Sequence, residues 1–241
     1  MEEADVADLN ELDRELLDRK WSAKLREKWA ADGEELRWLV LPEQGYVGST
    51  VSGRTSVPHE PLNDVEPSHV DRTGWPLPSD LVTSGRYLGD EWADDPSIMW
   101  WAVADDPGRA AVRFGDHLTA VVGEAFLVLS SERLAVVVEQ GKVGSRRPEQ
   151  PGASSGWFGK VRSAAAQVQQ AAEGIAALKD AKHPHSYFEV PISQVRGVRF
   201  APMGRNIPRA AFLRIDFADG SALFARHYEA EADAAKSAGS G

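Results

Sequence analysis

The sequence predicts a mainly β chain of the α+β class: an antiparallel barrel or sandwich, led in by an N-terminal helix and interrupted by a long helical insertion. Three observations carry that expectation. Phe126–Val138 reads as two apolar strands folded about a Ser-Ser-Glu-Arg turn. Phe212–Arg226 repeats the pattern about Asp219-Gly220, a turn-forming pair. Between them, residues 160–182 place Val161, Ala164, Val168, Ala171, Ile175 and Leu178 at alternating spacings of three and four, which puts them on one helical face.

In chain order, residues 4–31 lack Gly and Pro and carry Leu9, Leu12 and Leu16 at helical spacing, so they are expected to form a helix that Asp32-Gly33 stops. Its acids crowd the first half and its bases follow Arg14, as the helix dipole favours. A second row, Leu17, Trp21, Leu25 and Trp29, drifts around the helix and argues against a long coiled coil. Leu36–Leu41 is a candidate strand. Residues 42–95 are rich in Pro, Gly and Asp and are read as a partly disordered linker, because prolines remove ladder donors and bias the preceding residue away from helix. Two Asp-Asp-Pro turns bracket Ser97–Ala104, a buried strand.

From Ala110 onward, strands are expected near 110–114, 117–122, 125–130, 133–139, 186–190, 196–201, 210–217 and 221–226, with a short helix-prone stretch at 228–236. The organisation is therefore a helix and strand in 1–41, a linker in 42–95, and a β-module in 96–241 holding the inserted helix.

The module resembles the pleckstrin-homology-like superfold in its bacterial and GRAM-like forms. The similarity rests on Phe126-Leu-Val-Leu-Ser-Ser-Glu-Arg-Leu-Ala-Val, on Phe188-Glu-Val-Pro-Ile-Ser-Gln-Val-Arg-Gly-Val, and on Leu213-Arg-Ile-Asp-Phe-Ala-Asp-Gly-Ser, and it covers about residues 98–236. It implies a barrel closed at one end by a helix, and a role in binding phosphoinositides, other lipids or peptides, or in holding complexes together. The closing helix of that family carries an apolar face. Residues 228–236 offer only Tyr228 and alanines, so the resemblance leaves the plug to the N-terminal or the inserted helix.

Composition narrows the function classes. The chain of 241 residues has no cysteine, which excludes disulfides, thiolate metal sites and cysteine nucleophiles. No window approaches the ~18 apolar residues of a membrane-spanning helix, and the Met-Glu-Glu-Ala-Asp start is unlike a signal peptide, so a cytoplasmic protein is expected. The net charge of −10 is unevenly spread: residues 41–110 hold twelve acids and four bases, whereas residues 142–214 hold twelve bases and four acids. Such a split points to an anionic partner for the basic part or to an internal complement from the acidic part.

Candidate anion- or lipid-binding residues are Lys142, Arg146 and Arg147, Lys160 and Arg162, and Arg205 and Arg209 in the Met203-to-Pro208 loop, because guanidinium groups bind phosphate bidentately. Trp157 and Phe158, between glycines and ahead of an amphipathic helix, are candidates with Val161, Val168 and Ile175 for contact with a membrane or a partner. His183 and His185 and the Asp-Asp-Pro pairs lack further ligands at metal-site spacing, so no metal or other cofactor is expected. The remaining histidines, His59, His69, His117 and His227, are scattered, and neither a nucleophile-elbow nor a nucleotide motif is present. The expectation is a non-enzymatic binding or scaffolding module with a protein partner or a second copy of itself. Peripheral attachment to anionic membrane is the alternative, and nucleic acid is not an expected partner.

Overall fold

The computed structural model describes residues 11–66, 70, 72, 74–142 and 183–238. The expected inserted helix lies outside them. The described residues form an α+β fold of two sheets. The first is antiparallel, β1 (Leu36–Val40), β5 (Phe126–Ser130), β6 (Arg133–Glu139) and β7 (Pro184–Pro191), in the order β1-β5-β6-β7. The second is six-stranded, with β2 (Tyr46–Val51), β3 (Arg54–Ser56), β4 (Ile98–Ala104), β8 (Val195–Met203), β9 (Ala210–Phe217) and β10 (Ala222–Arg226) in the order β3-β2-β4-β10-β9-β8. Its β2–β4 pair is parallel. The described strands thus make two layers and no closed barrel.

Helix α1 (Glu11–Lys28) covers the outer face of the first sheet, where Leu25 and Trp29 pack with Phe126, Val128, Ala135 and Val137. The alternate residues of the same strands, Leu127, Leu129, Leu134, Val136 and Val138, face the main core between the sheets. Burial on both faces is why Leu134–Val138 is an unbroken apolar run. Helix α2 (Asp80–Thr83) is a single turn in the connection between β3 and β4. Helix α4 (Ala230–Ala238) closes the side of the core beside β8, β9 and β1, inserting Ala230 and Ala234. Alanines suffice because the helix lies close against the strands.

Two sequence readings are corrected. Residues 110–122 do not form two strands; they form helix α3 (Ala110–Val121), inserted between the sheets against β2, β4 and β10 on one side and β6 and β7 on the other. Ala111, Phe114, Leu118 and Val121 sit at helical spacing, and the opposite stripe is reduced to Arg113, Asp116 and His117, of which only Arg113 is exposed. Its N-terminal amides are capped from a distance. Ala110 N donates to Asp219 Oδ2 at 2.7 Å and Ala111 N to Ser221 Oγ at 3.0 Å, so the β9–β10 turn supplies what the neighbouring sequence lacks.

The second correction concerns 42–95. Expected as a partly disordered linker, this stretch supplies, in its described residues, β2 and β3, the turn of α2 and a 3-10 turn at Glu91–Asp94. Pro42, Pro58, Pro61, Pro76 and Pro78 fall between these elements, and long-range contacts hold them in place. Arg226 makes several at the end of the stretch: its guanidinium donates to the carbonyls of Ala93, Asp95 and the following Ile98 at 2.7, 2.9 and 2.8 Å.

Candidate functional site

The 3-10 turn Glu91–Asp94 is fixed from three sides, and this fixes a cleft. Arg226 holds the Ala93 carbonyl of the turn and that of Asp95 just after it. Asp95 accepts from Ser79 N at 2.7 Å and from Ser97 Oγ at 2.7 Å; burial pushes its carboxyl up, but these bonds outweigh that and hold it below the ordinary carboxylate range. From the side, the β8–β9 loop presents its amides to two carboxylates. Gly204 N donates to Asp90 at 3.1 Å, and Arg205 N and Asn206 N both donate to Asp94 Oδ1 at 3.0 Å. Gly204 has φ +84°, and a Cβ there would lie 2.2 Å from Asp94 Oδ1, so only glycine admits the carboxylate.

Trp92, carried on this turn, stacks on Trp101 of β4 with ring centres 4.2 Å apart and meets Phe212 and Phe224 edge-on. Trp101 lies over Gly48 of β2, where a Cβ would come within 2.3 Å of the indole. Its Nε1–H donates to Thr50 Oγ1 at 3.3 Å. Tyr87 stands edge-on to Trp101 with centres 5.8 Å apart, and its hydroxyl pairs with Thr55 Oγ1 at 3.1 Å. Above these rings is an open cleft of about 400 Å³. Thr50, Thr55, Tyr87 and Asp90 give it a polar wall; Trp92, Trp101, Val103, Met203 and Phe224 give it an apolar one. A mostly apolar concavity with a few convergent polar groups is the usual form of a small-ligand site, and this volume is at the low end of the ~300–1,000 Å³ such sites occupy.

Two buried histidine–carboxylate pairs lie away from the cleft. His59 Nε2 is 2.7 Å from Asp116 Oδ1, and its Nδ1 is 2.7 Å from Ser49 Oγ. The tautomer with its proton on Nε2 satisfies both contacts. Asp116 also accepts from Leu62 N, Asn63 N and Asn63 Nδ2 at 2.9, 3.2 and 2.6 Å. Burial acts to raise its carboxyl, and the bonds from His59, Asn63 and Leu62 overcome it to leave the group below the ordinary range. The trio resembles a nucleophilic relay in composition. With Ser49, His59 and Asp116 at most 2% exposed, it instead pins residues 59–63 to α3.

The second pair joins the end of β10 to α4. His227 Nε2 is 2.9 Å from Asp233 Oδ2, and Lys236 donates to Asp233 Oδ1 at 2.5 Å. The ligand atoms of His227, Glu229 and Asp233 lie within 4.8 Å of one another, a set able to ligate a divalent cation. In the structure Asp233 takes the His227 ring and the Lys236 ammonium instead.

Of the sequence-predicted candidates, Arg205 pairs with Glu91 at 2.8 Å, and Arg209 is exposed on the same β8–β9 loop. Lys142 ends the turn after β6. Arg146, Arg147, Lys160, Arg162, Trp157, Phe158, Val161, Val168 and Ile175 lie outside the described residues. The cleft was not among the sequence candidates, because its lining comes from Thr50 to Phe224 with no local motif. One signal was available: Tyr87, Trp92 and Trp101 are dense aromatics flanking a Pro-rich segment, more than a linker requires. No family model matches the chain, and no curated protein or solved structure shows significant similarity to it. Among the described residues, no helix is long and apolar enough to cross a membrane.

Proposed function

We propose that this chain is a non-enzymatic binding module and that the aromatic cleft on the six-stranded sheet is its recognition surface. The observation that carries the reading is the cleft's preorganisation. Its floor is sheet, and its Trp92 wall is tied down by Arg226, Asp94 and Asp95, so a ligand would meet rings already in place and little ordering cost would oppose binding. The groups best suited to proton transfer, His59 with Asp116 and His227 with Asp233, are buried in pairs elsewhere, which favours binding over catalysis at the cleft. A pleckstrin-homology-like kinship belongs to this reading and is supported by the order of β5 to β10 followed by helix α4. For the alternative, attachment to anionic membrane, the described candidates on the β8–β9 loop are Arg205, paired with Glu91, and the exposed Arg209.

The test is a fragment screen by protein-observed NMR on the full chain and on Val103→Tyr, which fills the cleft from a position that is 38% exposed. Fragments should shift the Trp101 indole N–H in the parent and lose that effect in the variant, with both proteins melting alike. Fragment shifts that persist unchanged in Val103→Tyr would sink the proposal.

A further inference from the structure

The cleft's chemistry is one-sided, and this deepens the reading above, on which it rests. Among its eleven lining residues one is charged, the carboxylate Asp90, and none is Lys, Arg or His. Of its two indoles, that of Trp101 already donates its Nε1–H to Thr50. Tyr87 and Thr55 bond to each other. Asp90 has no ion-pair partner among the described residues; its side chain accepts one backbone amide, Gly204 N, at 3.1 Å. Its neighbours differ. Glu91 is paired with Arg205, and Asp94 takes the amides of Arg205 and Asn206. On β9, Arg214 bonds Asp216 at 2.8 Å.

The rings of this cluster also already receive cations. The Arg214 guanidinium lies 5.2 Å from the centre of Phe224, a lining residue, and Arg226 lies 4.8 Å from that of Phe212. An anionic ligand would meet a carboxylate and no positive group to offset its desolvation. A neutral ligand would leave Asp90 without a charged partner. A ligand whose head is a protonated amine can donate to Asp90 while its apolar body lies along Val103, Met203 and Phe224.

We infer that the cleft between the six-stranded sheet and the Tyr87–Trp92 segment binds a small organic ammonium ion, its cationic head at Asp90 and its apolar body along Val103, Met203 and Phe224. The deciding experiment titrates the full chain with three probes of matched body and different head: 2-phenylethylamine, 2-phenylethanol and 3-phenylpropionate. Binding is read from the Trp101 indole N–H and from calorimetry, in the parent, Asp90→Asn and Val103→Tyr proteins. The amine should bind about tenfold or more tighter than the alcohol, as a hydrogen bond between charged groups predicts. The propionate should be weakest, and Asp90→Asn should erase the preference for the amine without weakening the alcohol. Equal binding of amine and alcohol, or a preference that survives Asp90→Asn, overturns the ammonium assignment while leaving the cleft as a binding site if Val103→Tyr abolishes both. Absence of any shift at Trp101 with all three probes overturns both the assignment and the site.

Discussion

His59–Asp116 and His227–Asp233 are the same kind of buried pair, 2.7 and 2.9 Å apart, in opposite electrostatic surroundings. The first is a saturated knot: Asp116 receives a ring N–H, two backbone amides and a side-chain amide, and its carboxyl is held low. The second is a crowd. Around Asp233 stand Asp18 of α1 and Glu229; burial first, then repulsion from Asp233, pushes both of their carboxyls up, and Lys236 compensates only in part. Donors decide what a buried carboxylate does for the fold. Four of them make Asp116 a fastener, whereas acids sharing a histidine and a lysine make the α1–α4 junction tunable.

The comparison can be broken most decisively at its strong end. Asp116→Ala should cost about 3–5 kcal/mol, the scale for removing one partner of a buried pair, whereas Asp233→Asn should cost about 1–2 kcal/mol because it also relieves Asp18 and Glu229. Urea unfolding of both variants checks this, and equal losses would show that the surroundings do not matter.

Acid should then separate the regions by sign. Asp116 has a folded value below its unfolded one, so its contribution is complete above the ordinary carboxylate value near ~4 and is lost as pH falls through the lower folded value. Asp18 and Glu229 have folded values above their unfolded ones, so their contribution is present below ~4 and is lost as pH rises through the raised values. Unfolding midpoints followed between pH 7 and pH 4 should therefore gain a stabilising component on acidification that Asp18→Asn/Glu229→Gln lacks. A double variant with the parent's profile would refute the crowding.

The smallest effect is the single change Asp18→Asn, which should stabilise the protein at neutral pH by less than about 1 kcal/mol, since the group is partly exposed and solvent screens it. Thermal melting at low and high salt measures it, with the gain shrinking as salt rises.

How far these features could be read beforehand follows the range of the forces involved. The hairpins β5–β6 and β9–β10 were legible because apolar runs broken by a short polar turn, Ser-Ser-Glu-Arg in one and Asp-Gly in the other, act within a dozen residues. Helix α3 was misread because its cap comes from Asp219 and Ser221 on another hairpin, and because its polar stripe is reduced to Arg113, Asp116 and His117 in a helix otherwise buried. The His59 knot had no signature at all: Ser49, His59, Asn63 and Asp116 are ordinary residues until β2, the following loop and α3 meet.

The sequence by itself determined the α+β class, the absence of thiol chemistry, most strand positions and the division between acidic and basic segments, since each depends on composition or on nearest neighbours. Tertiary structure alone decided how that charge is spent. It set Glu91 against Arg205 and Asp94 against the amides of the β8–β9 loop, and it left Asp90 facing an aromatic cleft without an ion-pair partner among the described residues. Pairing of charges depends on distance in space, and the residues that meet around this cleft span the chain from Thr50 to Phe224.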